Sequence, residues 1–203
     1  HLKCKYKNVR YTMNISKYSC VNDRESDPFR NNSVILKLSE ITKKQNHNQV
    51  TGFVSIISEK FKFFPKNLTQ FFVNLDAIYI TDGRLKEIHK EDLAEFTKLK
   101  ILRLENNDLE VIEGDLFEFN PLLEILWLED NRFKAIDVAS FKFLINLKML
   151  DLRPISGDKA DSKDEIKGVL EEIAISHPFT PQVELQSTNF QIKRLALQVK
   201  CHD

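Results

Sequence analysis

Apolar positions recur along this chain every 24 residues: Leu75, Leu99, Leu123 and Leu147 form one column, and Ile78, Leu102, Leu126 and Leu150 a second. Ile80, Leu104, Leu128 and Leu152 follow the same step, then Leu85, Leu109 and Phe133, then Ile88, Ile112 and Ile136, with Leu93, Phe117 and Phe141 closing the unit. Within each unit, Leu-x-x-Leu-x-Leu predicts a short strand whose alternate side chains point inward. The leucine, isoleucine and phenylalanine positions after it fold back beneath the strand. Asn107 and Asn131 share a column in which Gly83 stands one repeat earlier, as suits a turn where a side chain satisfies backbone groups. One unit of this kind cannot bury its own apolar face, so the units must stack and their parallel strands line one concave side. Stepping back from Ile78 and Ile80 matches Val54 and Ile56, which starts a degenerate repeat near Gly52.

The expected fold is therefore an α/β solenoid, a horseshoe with a parallel concave sheet of about four to five units over 52–156, closed by caps at 1–51 and 157–203. In the first cap, Cys4-Lys5-Tyr6 and Tyr18-Ser19-Cys20 fit a hairpin closed by a disulfide, with Val34–Leu38 as a strand and "TKKQNHNQ" as a polar loop. In the second, Ser162-Lys163-Asp164-Glu165 is a capping-box pattern followed by Ile166, Val169, Leu170 and Ile173 at helical spacing. Pro178 and Pro181 break the chain, and Phe190, Ile192, Leu195, Leu197 and Val199 alternate as strands do.

Alternation defines what faces solvent on the concave side. One column reads Phe53, Ala77, Ile101, Ile125, Met149; the next Ser55, Tyr79, Arg103, Trp127, Asp151; the third Ile57, Thr81, Glu105, Glu129, Arg153. Tyrosine, tryptophan and arginine are the residue types enriched where binding energy concentrates. Tyr79, Arg103, Trp127, Asp151, Glu105, Glu129, Ile101, Ile125 and Met149 are thus the candidate ligand-binding residues. If Arg103 and Trp127 serve a ligand, removing both leaves stability nearly unchanged. Alternatively, Trp127 packs over Arg103 as a cross-strand pair and covers its own sheet.

Basic and acidic residues balance at 30 each, without the surplus typical of nucleic-acid binders. No apolar run reaches the roughly 18 residues of a membrane span. The chain starts at His1 and carries sequons at Asn14, Asn31 and Asn67, which together point to a trimmed, secreted glycoprotein. Cys201 is left over; it is an interchain bridge that makes a disulfide-linked homodimer, a free thiol, or a side chain buried against the fold. No phosphate-binding loop, nucleophile elbow or His-Glu-x-x-His occurs, and His1, His47, His89, His177 and His202 lack metal-ligand spacing. Glu105 and Glu129 lack the cleft that general acid–base work requires. The expectation is no enzyme, no metal and no cofactor.

The repeat resembles the extracellular leucine-rich-repeat family, Leu-x-x-Leu-x-Leu-x-x-Asn-x-Leu with a phenylalanine near the unit's end. More narrowly, "VTGF" at 50–53, "FFPKNLTQFFVNLDAIYI" at 63–80, "RLKEIHKEDLAEF" at 84–96 and "NDLEVIEGDLFEFNPLLE" at 107–124 are similar to a group of small secreted insect proteins of that family. The resemblance implies an extracellular recognition module, with a protein or glycan ligand on the concave face and a role in innate immunity. The other class it leaves is a matrix, adhesion or assembly component working through caps and edges. Asp151-Leu152-Arg153-Pro154-Ile155-Ser156 departs from the family in having serine where a cysteine follows the last repeat, so Cys201 lacks its customary partner.

Overall fold

The structure, a computed structural model, describes residues 4–22, 47–56, 62–153, 168–169 and 171–173, and the backbone of 184–187 and 190–191. The strands are β1 (Cys4–Arg10), β2 (Ser16–Asn22), β3 (Gly52–Ile56), β4 (Ala77–Thr81), β5 (Ile101–Arg103), β6 (Val111–Ile112), β7 (Ile125–Trp127), β8 (Ala135–Ile136), β9 (Met149–Asp151), β10 (Glu184–Ser187) and β11 (Phe190–Gln191). Nine of them form one sheet in the order β1-β2-β3-β4-β5-β7-β9-β10-β11. It is parallel from β2 to β10, with an antiparallel pair at each end. The short strands β6 and β8 pair with each other in a separate sheet. A short helix, α1 (Lys90–Leu93), and 3-10 turns at 68–70 and 138–143 carry the chain back between repeats. The stack is a solenoid: every strand neighbours the strand of the next repeat, and the inward leucines of all repeats merge into one core.

The turn after each strand uses two columns. Asp82, Asn106 and Asp130 adopt positive φ of 52°, 55° and 54°, a conformation that aspartate and asparagine tolerate better than other L-residues. The next residue turns inward. Asn107 Nδ2 donates to the carbonyls of Ile80, Leu104 and Glu105 at 2.9, 3.0 and 3.2 Å, and its Oδ1 accepts from the Leu85 amide at 3.2 Å. Asn131 repeats this one level on. Asn120 donates to the Leu93 and Phe96 carbonyls at 3.1 Å each. On the returning side, ring pairs Phe64–Phe96 and Phe117–Phe141, both with centroids 6.0 Å apart, link successive repeats.

The first repeat departs from the 24-residue step. Gly52 pairs with Ala77, Val54 with Tyr79 and Ile56 with Thr81, so this unit is one residue longer than the spacing predicts. A slip of one residue moves every side chain to the opposite face of a strand. Phe53 is therefore in the core and Val54 on the concave side, the reverse of the expected columns.

The hairpin of β1 and β2 joins the sheet edge through β2, with Cys20 beside Phe53. Cys4 and Cys20 are bonded across it, 16 residues apart. Closing a loop of that size is worth about 3 kcal/mol in the chain-entropy model. Replacing both cysteines with alanine is expected to lower the unfolding free energy by about that amount in urea titrations. At the other end, residues 168–169 and 171–173 are helical and Ile173 is fully buried in the core. The expected strand at 34–38, the capping box at 162–165 and the strand positions from 192 to 199 lie outside the described residues.

Candidate functional site

Tyr79, Arg103 and Trp127 sit opposite one another on β4, β5 and β7. Equal repeat length puts them in one cross-strand row. The Arg103 guanidinium is sandwiched, its Cζ 4.0 Å from the Tyr79 ring centroid and 4.0 Å from that of Trp127. Its edges are engaged as well: Nη1 donates to the Tyr11 carbonyl at 2.8 Å, Nε to Glu105 Oε1 at 2.9 Å, and Nη2 to the same carboxylate oxygen. The arginine side chain is 14% exposed.

Tyr11 belongs to the tip of the hairpin, which curls over the concave face. Its hydroxyl donates to the Phe53 carbonyl at 3.3 Å and lies 3.3 Å from Ser19 Oγ, and its ring stands 6.2 Å from that of Tyr79. Lys17 Nζ bonds Asp76 at 2.5 Å beside the strand ends. Gly52 is required beneath this contact, since a Cβ there would lie 2.5 Å from the Tyr11 hydroxyl. Val9, Ile15 and Val21 complete an apolar cluster with Tyr11, Val54, Ala77, Ile101 and Ile125. Exposure along the concave apolar column rises with distance from the tip, from 0% at Ala77 to 2% at Ile101 and 7% at Ile125, and Met149 is half-buried.

The third column is held by ion pairs. Glu105 is 3% exposed, and burial pushes its carboxyl above the usual range against the pull of Arg103. Arg153 Nε donates to Asp151 Oδ1 at 2.9 Å, and its Nη2 lies 2.7 Å from Asp151 Oδ2 and 3.0 Å from Glu129 Oε2. Burial, and then the adjacent Asp151 carboxylate, raise Glu129 to about 7, although Arg153 opposes them. A carboxyl raised on folding stabilises the folded state fully below its unfolded value and loses that contribution as pH climbs through the folded one. Glu129→Gln is therefore expected to flatten the decline of the melting temperature between about pH 4.5 and 7, and to melt higher than the parent chain at pH 8. Thermal melts across that range check it; an unchanged slope would contradict the assignment.

Ile101, Ile125, Glu105 and Asp151 are thus not open to a ligand as the alternation predicts. The hairpin tip covers the apolar pair's end of the face, and the arginines bury the two carboxylates. Arg103 is committed to the fold by four contacts, which corrects the expectation that it can be removed at little cost. Trp127 and Met149 remain half-buried, and Glu129 and Arg153 are partly exposed beside them. The indole Nε1 of Trp127 is buried without a hydrogen-bond partner among the described residues. Asn14 is exposed at the hairpin tip, whereas Asn67 is half-buried at φ 64°, with the Thr69 hydroxyl donating to Glu95. Asn31 and Cys201 lie outside the described residues. Tyr11 is the residue the sequence reading missed. Its one signal is that Val9, Tyr11 and Ile15 make a hairpin tip too apolar to be left in water.

Residues 73–133 match the family model described as leucine rich repeat. The fold is a leucine-rich-repeat solenoid. Two solved structures of the Drosophila Toll–Spatzle complex contain chains similar to it. The glycosylated form is 23% identical with a TM-score of 0.47, covering 69% of this chain and 18% of that one. The other form is 22% identical with a TM-score of 0.45, covering 71% and 18%. This chain thus spans less than a fifth of the length of those two. No curated protein matches it. Among the described residues, no helix is long and apolar enough to cross a membrane, and no group of three His, Cys, Asp or Glu could hold a metal ion.

Proposed function

We propose that this leucine-rich-repeat chain is a secreted, non-enzymatic recognition module that holds a protein ligand on the C-terminal half of its concave face. One observation carries the reading. Trp127 is locked against Arg103 yet stays half-buried beside Met149, Glu129 and Arg153, just where the cover of the hairpin tip ends. An aromatic anchor already held in place loses little entropy when a partner buries it. The charged rim supplies both signs, so a protein ligand of mixed polarity fits better than a uniformly charged one. Secretion is supported by the Cys4–Cys20 bond, which persists in oxidising compartments, and by the exposed sequon at Asn14. A role in innate immunity rests on the family resemblance, and a homodimer bridged through Cys201 belongs to the same reading.

The test compares the parent chain with a Trp127→Ala, Met149→Lys variant, each immobilised in native extracellular fluid. A bound protein that the variant loses at least tenfold supports the concave-face site. A partner held equally by both moves recognition to the caps and edges, as an assembly or adhesion component requires.

A further inference from the structure

Away from the concave face, the turns that follow the strands enclose an open cavity of about 530 Å3, lined by Lys62, Gly83, Arg84, Lys86, Asp108 and Arg132. Successive repeats supply these residues. Lys62 and Lys86 are one period apart, as are Arg84, Asp108 and Arg132. The Lys86 amide donates to the Lys62 carbonyl at 3.2 Å, the Asp108 amide to Leu85 at 2.9 Å and the Arg132 amide to Leu109 at 3.0 Å, so the wall is fixed by backbone bonds between repeats. Gly83 stands in the column of Asn107 and Asn131 and leaves that part of the wall as bare backbone.

Two carboxylates at the rim are paired. Asp108 pairs with Arg132 Nε at 2.8 Å, and Glu110, just outside, with Lys134 at 2.7 Å. Lys62, Arg84 and Lys86 are exposed and form no ion pair among the described residues. Three cations without an ion pair among the described residues thus line one concavity in a chain whose formal net charge is zero. Such a cluster repels itself, and a bound anion relieves the repulsion.

We propose that this rim is a second binding site, for a sulfated polysaccharide. None of the lining residues is aromatic, so a nucleobase has nothing to stack on. None is a large apolar residue that could enter a bilayer. Lysine offers a compact charge and arginine a planar fork, both suited to sulfate oxygens. Neighbouring strands of a sheet are about 4.8 Å apart, so a linear polyanion lying along the stack meets cations from successive repeats.

The experiment titrates the full chain with a heparin octasaccharide at low and at near-physiological salt. The parent chain is expected to bind with an affinity that falls steeply as salt rises. Lys62→Gln, Arg84→Gln, Lys86→Gln together should weaken binding at least tenfold and make the salt dependence shallower. The triple variant should melt no lower than the parent, because it breaks no ion pair among the described residues. A second triple variant, Lys7→Gln, Lys98→Gln, Lys142→Gln, changes net charge equally at distant sites and should bind like the parent. Equal loss in both triple variants would reduce the effect to net charge and overturn the site. So would absence of binding at low salt, or equal binding of desulfated heparin. Competition by phosphatidylserine vesicles as strong as by heparin would assign the rim to an anionic membrane surface instead. Trp127→Ala should bind heparin as the parent does, so failure here and failure of the concave-face reading are separable.

Discussion

Arg103→Ala is expected to cost about 3–5 kcal/mol of stability, the range for breaking a buried charge pair from one side. The substitution leaves Glu105 in place, 3% exposed, with the cation that compensated it gone. It also removes the filling of the Tyr79–Trp127 sandwich and frees the Tyr11 carbonyl that ties the hairpin tip to β5. Burial already raises the Glu105 carboxyl, and without Arg103 it rises further. The variant should therefore be hurt most at alkaline pH and should recover as Glu105 takes up a proton in acid. Adding Glu105→Gln should restore much of the loss at neutral pH, because no buried charge is then left unpaired. Urea titrations of the two single variants and the double variant measure this cycle. Trp127 is the only tryptophan, so its emission reports whether the sandwich has opened. A loss below about 1 kcal/mol with unchanged emission would show that solvent already compensates Glu105.

That result would also locate where a periodic reading ends. The equal spacing of Leu75, Leu99 and Leu123 is enough to put Tyr79, Arg103 and Trp127 in one row, since a stack of equal units has a single register. The unit before them is one residue longer, and nothing local marks the insertion. Phe53, Val54 and Ile56 are all apolar, so either register turns an acceptable residue inward. The pairing of Tyr11 with Arg103 spans 92 residues between a hairpin and a repeat, and no period connects them. Periodicity therefore identified the concave row and missed its cover. The asparagine column shows a finer limit. The sequence marks Asn107 and Asn131 as turn residues, yet the left-handed conformation falls on Asn106 and Asp130 just before them. The asparagines spend their side chains inside, on carbonyls of their own and the preceding repeat. A side chain's polarity says that it will satisfy backbone groups; only the fold says which ones.

Those shared carbonyls set the other large effect. Asn107→Ala and Asn131→Ala are each expected to cost about 2–3 kcal/mol, because each strands buried backbone groups that no water reaches. The two should not be independent. The Leu104 carbonyl accepts from Asn107 Nδ2 at 3.0 Å and from Asn131 Nδ2 at 2.9 Å. Either single substitution leaves it one of these donors, and only the double variant removes both. The double loss should therefore exceed the sum of the single losses by about 1 kcal/mol, the signature of neighbours sharing a partner. A combined cost of more than about 5 kcal/mol approaches the whole stability of a typical domain, so the double variant should be largely unfolded at physiological temperature. Urea unfolding at low temperature, followed by emission from Trp127, measures the three variants on one scale. Strict additivity would mean that each asparagine acts only within its own repeat. A shortfall would mean that the first substitution had already separated the two levels. Excess loss would identify the asparagine ladder as a source of cooperativity between repeats, holding the strands of the concave row to one another while Arg103 holds their cover.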